Sequence, residues 1–162
     1  MFSIIDIETG RFGKKITSAG IIPKGTVIHH FSGTPVTFAE TKKLREKESY
    51  ALQIGPDDYL LLDEPACFFN HACEPNCGLT PSLELIALQE IPGGAELCYD
   101  YSTTMLERSW TMKCECKKSS CRGIVEDFDK LPLALQKKYL LQNIVQHFIV
   151  ETLKTGWGWP GI

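Results

Sequence analysis

Three cysteines near residue 120 lie at a spacing that suits a metal ion. Cys114, Cys116 and Cys121 follow the pattern C-x-C-x4-C in a polar stretch. Zinc favours thiolate ligands, and a closed structural zinc site takes four ligands. The local stretch supplies only three, so a fourth has to come from elsewhere, with Cys73 and Cys77 as the obvious donors. The spacing favours a metal site over three reduced bystander thiols.

A second group of chemistry-bearing residues lies in two stretches, FFNHACEPNC at residues 68–77 and ELCYDY at residues 96–101. Core packing alone does not produce the first stretch, in which an Asn-His pair, two cysteines and a Pro-Asn pair follow two phenylalanines. The second stretch places Tyr99 and Tyr101 on a strand, where they offer aromatic walls and hydroxyls. On its own, Tyr101 would be interpreted as a packed strand aromatic with a satisfied hydroxyl.

The elements that position these residues are predicted to be short strands broken by turns. Residues 26–33 and 50–55 are β-rich runs that end in glycine, and the sequence GPDD joins the second of them to the run at 59–62 as a hairpin would. Residues 83–101 predict two more strands around a Pro-Gly-Gly turn. Residues 38–49 are charged and helix-prone.

The C-terminal stretch has a helical pattern. From Leu131 onward, apolar residues recur at helical spacing and polar residues occupy the other side, which predicts an amphipathic helix. The apolar row consists of Leu140, Ile144, Phe148, Ile149 and Leu153. A helix packed on the sheet is the favoured interpretation, and a partner or dimer helix is the alternative.

Length, composition and charge indicate one soluble globular domain. The chain has 162 residues, of which 43% are hydrophobic and 23% charged, so it can build a hydrophobic core. A net charge of −3 leaves no overall basic footprint, so direct nucleic-acid binding is not expected, whereas a basic partner is suitable. No apolar run approaches the roughly 18 residues of a membrane span, and no membrane interaction is expected.

The cysteine count and the start of the chain bear on the compartment. The opening residues, MFSIIDIETGR, lack the charged and apolar regions of a secretory signal peptide. Seven cysteines without a secretion signal do not predict a disulfide framework, and Cys67 and Cys98 are interpreted as buried small hydrophobes. We therefore expect an intracellular protein, in the nucleus if its source is eukaryotic and in the cytoplasm if it is bacterial.

Three motifs in order resemble the family of SET-domain protein lysine methyltransferases. FFNHACEPNC is similar to the family signature Asn-His-x-Cys-x-Pro-Asn, and GAELCYDYS at residues 94–102 is similar to the signature Glu-Leu-x-(Phe/Tyr)-Asp-Tyr. CECKKSSCRG resembles the zinc-binding post-SET segment, and SAGIIPKGTVI at residues 18–28 resembles the usual opening strands. The resemblance covers about residues 10–125.

The resemblance implies a mainly β fold of several small sheets with a pseudoknot, through which the segment ending in YDY is threaded. The C-terminal amphipathic helix would close this fold. Three parts are implied: a SET domain at residues 1–110, a post-SET zinc segment at residues 111–125 and a C-terminal helical extension at residues 126–162.

The resemblance also implies the site residues. Tyr101 would be the catalytic hydroxyl near the methyl group, and Tyr99 would occupy the catalytic position that influences how many methyl groups are added, here mono- or dimethylation. S-adenosylmethionine would be bound by Asn70 and His71, with Tyr101 beside it. A structural Zn²⁺ would be bound by four cysteines, with Cys73 rather than Cys77 as the fourth ligand: Cys73, Cys114, Cys116 and Cys121.

Three positions depart from the family pattern. The family usually opens with Gly-x-Gly, whose bare backbone approaches the cofactor, and here Gly13 and Lys15 stand at the two glycine positions. Both are therefore expected in the cofactor-binding segment. In the alternative, Gly10 and Gly13 of GRFG would serve with a shifted register. Phe31 stands where many members have a channel tyrosine, and Cys67 stands where many have an arginine. The missing hydroxyl at Phe31 would widen the channel or change the product, which competes with the inference from Tyr99.

The leading function is an S-adenosylmethionine-dependent protein lysine methyltransferase. Its substrate would be a basic protein, with a histone tail as the default and a ribosomal or other basic protein as the alternative. A second hypothesis is a catalytically weak SET-like zinc module that binds basic protein tails, which the altered glycine motif and Phe31 favour. A zinc-stabilised nucleic-acid binder is disfavoured by the acidic charge. Cofactor binding separates the first hypothesis from the others.

Overall fold

Short strands make up most of the regular structure in the computed structural model, which describes residues 3–156 apart from the side chain of Glu46. The strands are β1 (Ile5–Gly10), β2 (Gly13–Ser18), β3 (Val27–His30), β4 (Gly33–Thr37), β5 (Ala51–Gln53), β6 (Asp58–Leu62), β7 (Asn70–His71), β8 (Cys77–Leu79), β9 (Glu84–Ala87), β10 (Cys98–Tyr99), β11 (Met112–Lys113) and β12 (Ile124–Val125). The α-helices are α1 (Phe38–Thr41), α2 (Leu133–Leu141) and α3 (His147–Gly156). Short 3-10 helices cover Arg45–Tyr50, Ala66–Phe68, Tyr101–Thr104 and Phe128–Lys130. Within residues 3–156, no helix is both long and apolar enough to cross a membrane.

The strands form several small sheets rather than one large sheet. Two have three strands, in the orders β3-β9-β8 and β4-β6-β5, and the others pair β1 with β2, β7 with β10 and β11 with β12. β5 and β6 are antiparallel neighbours, which confirms the hairpin predicted around GPDD. The two strands predicted in residues 83–101 also form, but they belong to different sheets. The predicted mainly β fold class of several small sheets is therefore confirmed.

A short parallel pairing brings two distant signature stretches side by side. In β7 and β10, Asn70 pairs with Cys98 and His71 pairs with Tyr99. The backbone amide of Ala72 extends this pairing by donating to the carbonyl of Tyr99. Parallel strands need a long connection, and here residues 72–97 provide it. This pairing sets the relative placement of the Asn-His pair and the two tyrosines.

The prediction of one continuous C-terminal helix was wrong, because the helical stretch is divided between α2 and α3. α2 ends at Leu141, Gln142 caps it, and Asn143 follows with a left-handed φ of 54°. Asparagine tolerates this conformation, and the Ile144 amide then donates back to the Tyr139 carbonyl, as at many helix ends. The predicted charged helix at residues 38–49 is likewise reduced to α1 and a 3-10 turn.

The C-terminal extension packs on the β3-β9-β8 sheet, as the favoured interpretation predicted. Its buried residues form one cluster with partly buried Ile86 and Leu88. A Cβ added at Gly78 in β8 would lie 2.5 Å from Ile144, so only glycine permits this close approach. Full burial of a side chain such as Ile149 stabilises the fold by about 2 kcal/mol. Residues 157–162 of the predicted extension lie outside the described residues.

Candidate active site and metal centre

The structure brings together the four cysteines that the family resemblance implies as metal ligands. The sulfur atoms of Cys73, Cys114, Cys116 and Cys121 all lie within 4.8 Å of one another. Cys73 follows β7, whereas the other three lie between β11 and β12. The alternative donor, Cys77, lies in β8 outside this group, and its thiol donates to the Asn76 side-chain oxygen. Four convergent thiols fit a tetrahedral zinc site.

The thiols of this cluster differ in acidity. Burial raises the pKa of Cys73 and of Cys114. Burial also acts to raise the pKa of Cys116, but backbone hydrogen bonds at Cys73 and Lys118, together with the thiols of Cys114 and Cys121, outweigh it and bring that pKa to about 7. Zinc binds thiolates rather than thiols, so metal binding would release protons from this cluster.

Glu74, which the sequence motifs did not single out, holds the metal loop, the segment from Cys114 to Cys121, in place. One carboxylate oxygen of Glu74 accepts hydrogen bonds from the hydroxyls of Ser119 and Ser120 and from the Ser120 amide. The Ser120 hydroxyl contributes most to lowering the pKa of Glu74, and its amide contributes next. Glu74 directly follows Cys73, so the link ties the loop to the strand that supplies the fourth ligand. In the sequence, the indication of this role is an acidic residue directly after the ligand Cys73 and a Ser-Ser pair directly before the ligand Cys121.

The two candidate tyrosines lie against each other in the interior. The ring centroids of Tyr99 and Tyr101 are 4.9 Å apart. The Tyr101 hydroxyl donates to the Phe69 carbonyl at 2.8 Å, and its amide donates to His71 Nδ1 at 3.2 Å. Burial raises the pKa of both phenols, so both are neutral at physiological pH. The Tyr101 hydrogen is committed to Phe69, which leaves lone pairs of the oxygen available to a ligand.

A pocket reaches both tyrosines from the surface. Its apolar and aromatic lining includes Leu52, Tyr59, Leu62, Met105 and Trp110, together with Tyr99 and Tyr101. The carboxylate residues Glu48 and Glu107 also line it. Tyr99 is 5% exposed and lines the pocket, and among the described residues its hydroxyl is not a sealed polar atom without a partner. The hydroxyl is therefore open to a water or a bound amine in the pocket.

Aromatic side chains pack against the Tyr99 ring in the interior. Phe31 meets Tyr99 edge to face at a centroid distance of 5.7 Å and stacks on Phe69 at 5.6 Å. His29 packs against Phe69 in turn, at 5.9 Å. Phe31, which was expected to line the channel, is thus buried beside Tyr99 and presents a ring without a hydroxyl.

His71 occupies a buried position between the tyrosine segment and the metal cluster. Burial lowers its pKa to about 4, although the nearby Asp100 carboxylate acts in the opposite direction. The neutral ring accepts the Tyr101 amide hydrogen at Nδ1, so Nε2 carries the proton and points at the Cys73 sulfur, 3.4 Å away. Both nitrogens of the His71 ring therefore contact other protein atoms, so only the His71 backbone is left for ligand contacts.

The other residues expected to bind the cofactor are Asn70 in β7 and two residues of the β1-β2 hairpin. Asn70 donates through its side-chain amide to Glu96 at 2.9 Å. Gly13 and Lys15 lie in β2, where Gly13 has a φ of 107° and the Lys15 ammonium pairs with Glu8 at 3.2 Å. A bridge between Thr17 of β2 and Glu96 connects this hairpin to the residue that the Asn70 side chain bonds.

A buried ionic group that the sequence analysis missed adjoins these residues. The Asp100 carboxylate accepts two hydrogen bonds from the Arg122 guanidinium, both at 2.8 Å. The Tyr139 hydroxyl donates to the same carboxylate at 3.0 Å. Asp100 stands between the two tyrosines in the chain, which is the only local signal for this group.

Comparison with known proteins identifies the family. The family profile described as SET domain matches residues 13–102, which is more than half of the chain. The chain therefore belongs to the SET domain family, as the motifs predicted.

Curated relatives carry histone-lysine methyltransferase names. Histone-lysine N-methyltransferase ash1 of Drosophila melanogaster is 33% identical over 123 residues, covering 64% of this chain and 5% of the relative. Probable histone-lysine N-methyltransferase set-23 of Caenorhabditis elegans is 38% identical over 63 residues, covering 34% of this chain and 26% of the relative. The chain thus spans only a small part of the length of these relatives.

Solved structures share the fold. The methyltransferase domain of human Histone-lysine N-methyltransferase SETMAR matches with a TM-score of 0.59 at 23% identity, covering 74% of this chain and 56% of that chain. KRYPTONITE in complex with mCHG DNA and SAH matches with a TM-score of 0.56 at 24% identity, covering 75% of this chain and 29% of that chain. Similarity at this level of identity establishes the fold alone.

Proposed function

We propose that this chain is an S-adenosylmethionine-dependent protein lysine N-methyltransferase. The observation that carries the proposal is the pocket whose lining includes both Tyr99 and Tyr101. The names of the curated relatives support the reaction class. SAH, which remains when S-adenosylmethionine has given up its methyl group, is bound in the KRYPTONITE structure and supports the cofactor.

The mechanism follows from an in-line displacement. The neutral lysine amine would donate its lone pair to the methyl carbon as the carbon–sulfur bond breaks and its electron pair stays on sulfur. The cofactor supplies the electrophilic methyl group on a sulfonium. Free lysine has a pKa of about 10.4 and is protonated at neutral pH; burial of the amine against the rings of Tyr99 and Tyr101 would lower that pKa, whereas the carboxylates of Glu48 and Glu107 in the same lining act in the opposite direction. Alignment of amine and methyl group accounts for much of the remaining catalysis.

The two tyrosines and the Asn-His pair have separate roles in this proposal. The Tyr101 oxygen, with its hydrogen directed at Phe69, presents lone pairs to the positively polarised methyl group. Asn70 and His71 hold the cofactor, His71 through its backbone because its ring is engaged inside the protein. Gly13 and Lys15 contribute from the β1-β2 hairpin. The four-cysteine cluster holds a structural Zn²⁺ that fixes the loop beside the site.

The pocket rim favours a basic protein as the substrate. Glu48 and Glu107 place carboxylates at the pocket that would admit the target lysine. The chain as a whole has a net charge of −3, which favours encounter with a basic peptide. A histone tail is the default substrate, and a ribosomal or other basic protein satisfies the same chemistry. A nuclear location would follow for a eukaryotic source and a cytoplasmic one for a bacterial source.

The boundaries implied by the motifs are part of the same proposal. Residues 1–110 would form the SET domain, residues 111–125 the post-SET zinc segment and residues 126–162 the C-terminal helical extension. Lys15 in place of the second glycine, and Phe31 in place of the channel tyrosine, favour the second candidate, a catalytically weak module that binds basic protein tails.

Replacing Tyr99 with phenylalanine is expected to raise the number of methyl groups added to one lysine. The hydroxyl occupies space in the pocket and can hold a water or the amine, so its removal makes room for a methylated amine. Mass spectrometry of the product peptide should show a shift from mono- and dimethylated towards trimethylated lysine. Phe31→Tyr is the matched variant and should restrict the product further. An unchanged product distribution in Tyr99→Phe would contradict this role.

Cofactor binding tests the proposed function against the binding module. Calorimetric titration of the zinc-loaded chain should detect both S-adenosylmethionine and SAH, and Asn70→Ala should weaken both by about tenfold, as loss of a buried hydrogen bond predicts. Asn76→Ala serves as the comparison for a loss of structure alone, because the Asn76 side chain bonds the Glu96 carbonyl and the Cys98 amide of the backbone. A folded, zinc-loaded chain that binds a basic peptide but neither cofactor would refute the enzyme and establish the module.

A further inference from the structure

The C-terminal extension touches the segment that carries the candidate catalytic tyrosine. Tyr139 in α2 is 1% exposed, and its hydroxyl donates to Asp100, the residue before Tyr101. The Gln146 amide, just before α3, donates to the Thr103 carbonyl at 3.1 Å. The extension therefore contacts the chain on both sides of Tyr101.

Asp100 links this contact to the rest of the site. Its side chain is fully buried and also receives Arg122, which follows the metal ligand Cys121. One of its oxygens caps the turn that begins at Tyr101 by accepting the Ser102 amide. A buried carboxylate that receives four hydrogen bonds has little freedom to move, so its position is set by all its donors together.

From these contacts we propose that Tyr139 is a positioning residue for methyl transfer, acting through Asp100 on the placement of Tyr101. The proposal rests on the proposed function and adds a role for the extension, which lies beyond the matched SET residues 13–102. The only hydrogen-bond partner of the Tyr139 side chain among the described residues is Asp100, so removal of the hydroxyl acts on the site through Asp100.

The physical argument is one of geometry. The Tyr101 ring is held at its hydroxyl by the Phe69 carbonyl and at its amide by His71. The turn at Tyr101–Thr104 is fixed from the other side by Asp100, which Arg122 and Tyr139 hold, by the Arg122 bond to the Ser102 hydroxyl, and by the Gln146 amide. Small misplacements of a group that aligns reactants are costly in rate, because catalysis by alignment depends on atomic distances. Loss of the Tyr139 hydroxyl should therefore affect turnover more than substrate binding.

The test is Tyr139→Phe in the full zinc-loaded chain, with Ile149→Val as the matched control. The first variant keeps the ring and loses one hydrogen bond, whereas the second removes a methyl group from the same buried cluster without touching Asp100. Steady-state kinetics should show kcat reduced by about tenfold to a hundredfold in Tyr139→Phe, with KM for the peptide nearly unchanged. Ile149→Val should keep the parent kcat, although both variants lower the melting temperature.

Amide hydrogen exchange gives a second readout that needs no activity. The amides of Tyr101, Thr103 and Met105 are hydrogen-bonded in the turn and should exchange several-fold faster in Tyr139→Phe than in Ile149→Val. Equal kcat or equal exchange in the two variants would overturn the positioning role. A parent chain that transfers no methyl group would instead refute the proposed function, while the exchange comparison would still decide whether Tyr139 holds the turn.

Discussion

Removal of the metal with a chelator is expected to unfold the segment between Met112 and Val125. β11 and β12 have two residues each, and the buried cluster around them is small and includes Cys73 and Cys114. Structural zinc in small modules contributes about 10 to 16 kcal/mol, which is comparable to the whole stability of a domain. Trypsin should then cleave at Lys117 and Lys118 in the stripped protein but not in the loaded one, as fragment masses would show.

Single cysteine variants test the same role of the metal without a chelator. Cys114→Ser should lose the metal and become sensitive to trypsin without chelator, since a hydroxyl is a poor zinc ligand. Cys67→Ser is the matched control, because Cys67 lies outside the cluster and should leave metal content at one ion per chain. If chelation removes the metal and the cleavage pattern stays the same, the metal does not hold this segment.

Replacing Tyr101 with phenylalanine is expected to reduce methyl transfer by at least about a hundredfold, the usual loss when one precisely placed polar group is removed from a catalytic site. The ring packing against Tyr99 is retained, and the lost hydrogen bond to Phe69 costs stability of only about 1 kcal/mol. The fall should appear in kcat, measured with saturating peptide and cofactor, while the melting temperature changes little.

Tyr50→Phe is the matched control for this variant. Tyr50 is a partly buried tyrosine that packs edge to face on Phe68, and it is not part of the pocket lining. It should keep the parent rate. A Tyr101→Phe protein that also keeps the parent rate would remove Tyr101 from the catalytic role.

Local patterns predicted the parts of the fold that depend on neighbouring residues. The hairpin of β5 and β6 follows from two apolar runs joined by GPDD, and the three cysteines of the metal loop follow from their spacing. The fourth cysteine of the cluster is 41 residues away from Cys114 in sequence. No periodicity or local spacing indicates such a pairing, so its choice over Cys77 depended on resemblance to a family.

Long-range contacts explain what sequence reasoning missed. Asp100 is joined to Arg122 and Tyr139 across 22 and 39 residues, and each residue alone reads as an ordinary polar or aromatic position. The break between α2 and α3 was missed for a different reason. Apolar spacing continued across Asn143, and the tolerance of asparagine for a left-handed conformation was the signal that could have ended the helix.

The measurement that tests the central claim most directly is transfer of labelled methyl from S-adenosylmethionine to lysine. The zinc-loaded chain would be incubated with mixed core histones and with a basic ribosomal fraction, and Tyr101→Phe would be run beside it. We expect label on lysine side chains in at least one fraction, and almost none with the variant. Cofactor that stays unbound by the folded chain, with no label in either fraction, would contradict the account and leave a module that binds basic tails.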